Sequence, residues 1–149
     1  LGEAEFLRYG SIHRNAYLCF PRALSAHGGL PSEPNLVFSG QLTGVEGYTE
    51  SIASGLLAAI NIDRMVRGTD PVLPPATTKL GGLYRFLREA NPDNFQPMNA
   101  NFGLLDPLVE KVRGGKRKRR AAYSERALQE FQRWADTVRP SPGDRTPAS

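Results

Sequence analysis

The stretch NLVFSG (35–40), QLTGVEGY (41–48) and TESIASGLLAAINIDRMV (49–66) decides how the chain is read. Leu36, Val37 and Phe38 form a short apolar run, entered from the Pro31 and Pro34 turn region and closed by Ser39 and Gly40. A run of that length between breakers suits a strand buried on both faces of a parallel sheet. From Gly55 to Val66 the pattern is helical, with Ile52, Leu56, Ala59, Ile60 and Met65 close to one apolar stripe. The segment between holds Gly40, Gly44 and Gly47, which let the backbone turn sharply and approach a ligand. A helix opening at Tyr48, Thr49, Glu50 and Ser51 then sets free N–H groups and a positive dipole end beside the turn. That arrangement receives an anion or the electron-rich edge of a cofactor. Glycines in such a turn also serve the turn alone, and the dinucleotide pattern G-x-G-x-x-G is absent from the chain.

Working outward, 149 residues with 40% apolar and 23% charged content make a globular chain able to hold one domain with a sizeable core. No apolar run reaches membrane-spanning length, and no basic region followed by an apolar one opens the chain, so neither a span nor a signal peptide is expected. Cys19 is the single cysteine. It excludes an internal disulfide, fits a reducing, cytoplasmic setting, and within Tyr17-Leu18-Cys19-Phe20 reads as a small core residue. No metal site is expected.

Residues 3–20 read as two short extended segments around Gly10 to Asn15. There His13, Arg14 and Asn15 offer a ring, a guanidinium fork and an amide, a set that suits a planar ligand and a carboxylate or phosphate. A lone loop histidine is more commonly a solvated residue. Pro21 to Pro34 reads as a connector with His27 on its surface. Beyond the central helix, Arg67-Gly68-Thr69-Asp70-Pro71 is a stop signal. Thr77 or Thr78 then caps a helix from Lys79 to Ala90, whose apolar face is Leu80, Leu83, Phe86 and Leu87.

Residues 95–105 fit neither period and read as a structured loop anchored by Phe95 and Phe102. Its amides Gln96, Asn99 and Asn101 are open to the backbone or to a ligand. Positions 111–120 hold seven of the 19 Lys and Arg residues. Lys116, Arg117, Lys118, Arg119 and Arg120 among them attract a phosphate backbone without reading sequence, the other reading being a solvated helix face. A helix from about Lys118 to Val138 follows, with Leu128, Phe131, Trp134 or Ala135, and Val138 at helical spacing. Residues 139–149 read as a disordered tail.

Three strings carry a resemblance. GQLTGVEGYTESIASGLLAAIN (40–61) is similar to the C-terminal flavin-contacting segment of the folate- and FAD-dependent tRNA (uracil-5-)-methyltransferases, the TrmFO family, and FQPMNANFGLL (95–105) resembles the FQPMNxNFGL string that the family carries near its C-terminus. RYGSIHRNAY (8–17) resembles that family's RxGxxHRNTY block, with Ala16 in place of threonine. The related GidA flavoproteins lack the Val45-Glu46 pair. The resemblance implies an α/β fold: the C-terminal portion of a Rossmann-like FAD-binding domain plus the end of an inserted substrate domain. Residues 1–20 would close the inserted domain, 21–34 connect, 35–110 belong to the FAD-binding domain, 111–138 form the basic segment and helix, and 139–149 the tail. Starting at Leu1, the chain would be the last third of a longer protein whose missing N-terminal part holds the nucleotide-binding unit and catalytic cysteines.

The implied reaction transfers the methylene carbon of methylenetetrahydrofolate to the 5-position of a T-loop uridine of tRNA, with FAD, reduced by NAD(P)H, as carrier and reductant. Gly40, Gln41, Gly44, Gly47 and Thr49 would hold the isoalloxazine. Glu46 and Tyr48, the acid and phenol of the turn, are candidates for proton transfer. His13, Arg14 and Asn15 would face folate or tRNA, and Lys116 to Arg120 would hold tRNA. Two alternatives stay open: a GidA-like wobble-uridine modification protein, and a non-catalytic RNA-binding module in which the glycine turn is structural.

Overall fold

Phe20–Ala23 forms a single helical turn, α1, opened by Pro21 at a position where no N–H is needed. The chain then doubles back, so that β1 (Gly29–Leu30) and β2 (Glu33–Val37) pair antiparallel with Gly29 opposite Val37. The structure, a computed structural model, describes residues 16–110 and 112–139. His13, Arg14, Asn15, the extended segments up to residue 15 and the tail from residue 140 lie outside the described residues.

The run Leu36-Val37-Phe38 does reach a strand, but the parallel, doubly buried setting expected for it is corrected. Among the described residues the sheet is a two-stranded antiparallel ribbon whose β2 is largely exposed. A short apolar run says that a surface is covered without saying by what, and Pro34, lacking an N–H, suits an edge position. The segment 21–34 is therefore a turn and a hairpin. His27 in it is half-buried, its ring 3.3 Å from the Ser25 hydroxyl, and desolvation lowers its pKa from the ordinary 6.5.

After a 3-10 turn at Gly40–Thr43 the central helix, α2, spans Tyr48–Val66. Its buried residues are Ser54, Leu57, Ala58 and Asn61. The expected apolar stripe is turned away from this core, with Ile52 74% and Leu56 64% exposed and Ala59 exposed as well. Small polar side chains win the inner face because they have partners there. The Asn61 amide donates to the Val72 carbonyl at 3.0 Å and accepts from the Val72 N–H at 2.7 Å, and Ser54 accepts from the Gly40 N–H at 2.9 Å.

The stop signal holds, with Arg67 as the cap residue and Gly68 at φ 71°. So does the next helix, α3, at Lys79–Glu89, whose cap Thr78 accepts from the Gly81 N–H at 3.0 Å. Gly81 and Gly82 leave no room for a Cβ against the Pro75 and Leu104 carbonyls, so the helix lies directly on backbone. Leu83, Tyr84 and Leu87 join Phe20, Val45, Leu57 and Phe95 in the core, Phe20 standing edge-on to Tyr84. Burial pushes the Tyr84 phenol up to about 12. Cys19, expected as a small core residue, is half-buried and packs against this cluster from its edge.

The 95–105 segment is a structured loop, joined to the core by a parallel bridge between Val45 and Met98. The last helix, α4, runs Gly115–Val138 and starts earlier than expected, so the basic run lies inside its first turns. It buries no residue. Arg126 ties it to the carbonyls of Asp106 and Pro107, and Trp134 packs against the core. No helix among the described residues is long and apolar enough to cross a membrane.

Candidate functional site

The turn between β2 and α2 is built from inside. Gly40, at φ 67°, gives its N–H to Ser54, and its carbonyl accepts from the Thr43 hydroxyl at 2.7 Å. Gly44, at φ 84°, donates to the Gln41 carbonyl and accepts from the Met98 N–H at 2.9 Å, while Glu46 donates to the Met98 carbonyl at 3.0 Å. The loop strand around Met98 is thus laced to the turn, with Val45 fully buried between them. A Cβ at Gly44 would lie 2.6 Å from the Phe95 ring, so the Cβ side of this glycine faces the core.

Gly47 is different. Its φ of 95° and ψ of 142° belong to a conformation that is nearly reserved for glycine, and it caps α2 without any side-chain cap bond. The N–H groups of the first helical turn therefore remain without a side-chain acceptor. A Cβ at Gly47 would run into the Glu50 carboxylate and come within 3.2 Å of the Asn99 amide nitrogen.

Outside this backbone lies an open cavity of about 460 Å3, with Gln41, Glu46, Gly47, Tyr48, Ser51 and Asn99 in its wall. It offers two amides, a hydroxyl, a carboxylate and a phenol around a helix start, and among the described residues no Lys or Arg lines it. Such a wall suits the hydrogen-bonding edge of a planar heterocycle better than a phosphate, which calls for cations.

Of the residues expected at a flavin, the structure brings Gln41, Glu46, Gly47 and Tyr48 together. Tyr48 is 93% exposed. Thr49 is exposed on the first turn but outside the cavity wall, and Gly40 and Gly44 support the turn from behind. Among the loop amides, Asn101 turns to the backbone, accepting from the Gly103 N–H at 2.8 Å, while Asn99 reaches the cavity. Ser51 joins the cavity wall and the Glu50 carboxylate lies beside Gly47, neither having been a candidate site residue. Their signal was position, the first turn of a helix that opens on glycine.

Lys116, Arg117, Lys118, Arg119 and Arg120 are exposed and lie apart from this cavity, with Lys116, Arg119 and Arg120 lining a groove beside Phe102 and Tyr123.

Residues 1–70 match the family model described as glucose inhibited division protein A. The chain is 49% identical over 138 residues to the methylenetetrahydrofolate–tRNA-(uracil-5-)-methyltransferase TrmFO of Geobacter sulfurreducens, covering 93% of this chain and 31% of that protein. It is 51% identical over 128 residues to the protein of the same name from Natranaerobius thermophilus, covering 86% and 29%. With that of Bacillus cytotoxicus the figures are 45% over 136 residues, covering 91% and 31%. The chain spans less than a third of the length of these relatives.

Proposed function

The chain belongs to the TrmFO family, and from that premise we propose that it supplies the flavin-facing turn of an enzyme that methylates a T-loop uridine of tRNA at the uracil 5-position. When bound, FAD, reduced by NAD(P)H, supplies electrons and carries the one-carbon unit taken from methylenetetrahydrofolate. The observation that carries this reading is the cavity at Gly47, where backbone, two amides and a helix start converge.

In it the Gln41 and Asn99 amides and the Ser51 hydroxyl hold the polar edge of the ring, and Gly47 admits it close to the backbone. The start of α2, with Thr49 in its first turn, stabilises negative charge at that edge. Gly40 and Gly44 keep the turn in shape. Glu46 or Tyr48 moves a proton at the cavity rim. His13, Arg14 and Asn15 face folate or tRNA, and Lys116 to Arg120 hold tRNA.

The remainder of a Rossmann-like FAD domain covers the outer face of α2, since an exposed apolar patch such as that of Ile52, Leu56 and Val66 marks an interaction surface. The setting is cytoplasmic.

The test is flavin absorbance in the full-length protein. Gly47→Val is expected to lose the cofactor while a cooperative unfolding transition persists. A folded variant that keeps its flavin at unchanged stoichiometry would overturn the assignment. A GidA-like wobble modification is the second reading, favoured by the family match over residues 1–70. Mapping the modified nucleoside to the T loop or to the wobble position separates the two.

A further inference from the structure

A groove runs along one side of α4 and changes character halfway. Its basic section, about 270 Å3, is walled by Phe102, Gly103, Lys116, Arg119, Arg120 and Tyr123. The adjoining section, about 350 Å3, shares Phe102 and Tyr123 and continues over Leu80, Leu105 and Phe131. Phe102 stands at the divide. Lys79 Nζ lies 5.0 Å from the centre of its ring and the Arg120 guanidinium 5.7 Å, with Tyr123 edge-on at 6.1 Å. The Asn101 cap holds the short turn that carries this ring.

Among the described residues none of Lys116, Arg117, Lys118, Arg119 and Arg120 pairs with a carboxylate, whereas Arg22, Arg85 and Arg133 each do. No acid accompanies them in the first turn of α4, although the helix dipole favours acids there and disfavours cations. Charge held against the dipole without a partner is tolerated on an isolated surface. Arranged around aromatic rings beside an apolar hollow, it matches a ligand that carries phosphates and a flat face together.

We propose that this groove binds an unstacked nucleotide of an RNA strand, its base against Phe102 and Tyr123 and its flanking phosphates on Lys116, Arg119 and Arg120. The inference rests on the reading of tRNA as substrate and adds to it a docking site separate from the cavity at Gly47. A duplex keeps its bases stacked inside and offers only phosphates, so the aromatic half of the groove selects a single-stranded or splayed segment. The apolar section adds no charged group other than Lys79 and few polar ones, so the base contact is tolerant of sequence.

The experiment titrates the full-length protein with a short single-stranded oligoribonucleotide, a blunt duplex of equal length, and phosphatidylglycerol vesicles, each over a salt series. Phe102→Leu is expected to weaken single-strand binding about tenfold or more, the loss of one stacked base, and to leave duplex affinity and salt dependence unchanged. Arg119→Gln with Arg120→Gln is expected to weaken both RNAs and to reduce the log–log salt slope by about one to two. Equal losses of Phe102→Leu on duplex and single strand, or no loss on either, would overturn the proposal. So would vesicle binding that RNA does not displace, which would make the groove a seat for an anionic lipid. Flavin absorbance, read on the same samples, keeps the two readings apart: Phe102-dependent RNA binding by a protein without flavin sinks the enzyme assignment and leaves this site standing.

Discussion

Gly44 and Gly47 sit three residues apart in one turn and answer to different neighbours. Gly44 is backed by the Phe95 ring and Leu87, so a methyl group there must displace core atoms. Gly44→Ala is expected to cost about 2–4 kcal/mol, combining overpacking with a left-handed backbone that alanine resists. Gly47→Ala meets the end of a flexible Glu50 side chain and is expected to cost less, about 1–3 kcal/mol for the backbone alone. Urea unfolding of the two variants checks the order; a Gly44 variant no less stable than the Gly47 one would mean that Phe95 yields freely. Both glycines were legible as turn residues, because positive φ is a local requirement. That one serves the core and the other the cavity was not, because Phe95 lies far along the chain.

At the scale of elements, helix ends were the most readable feature. The Thr78 cap, the Arg67-Gly68 stop and the bounds of α3 follow from bonds made within a few residues. Helix α2 carries its apolar stripe on the side away from this core. Its inner side is Ser54, Leu57, Ala58 and Asn61, while Ile52, Leu56 and Val66, the last 82% exposed, point outward. If the rest of the family protein covers that outer side, Leu56→Lys in the full-length protein buries an unpaired charge and is expected to cost at least about 2 kcal/mol. A change within about 0.5 kcal/mol, the usual effect of a surface substitution, would show that the stripe stays in water. The unfolding midpoint decides between them.

At the scale of the whole molecule, the core gathers α1, α2, α3 and the loop strand around Phe95, while α4 lies on it without a buried residue. Hydrogen exchange is expected to reflect this, with α3 amides protected longest and α4 amides exchanging early. Mass-spectrometric exchange in which α4 outlasts α3 would require a partner surface on α4. The sequence by itself determined where α2 and α3 begin and end, where the backbone must be glycine, and which strings mark the family, since these depend on neighbours along the chain. Only the tertiary structure decided that β2 pairs antiparallel, that Asn99 comes to Gly47, and that Phe102 stands between Arg120 and Tyr123. Apolar and polar patterns record that a surface meets something, and the identity of that neighbour is set by contacts between residues remote in the chain.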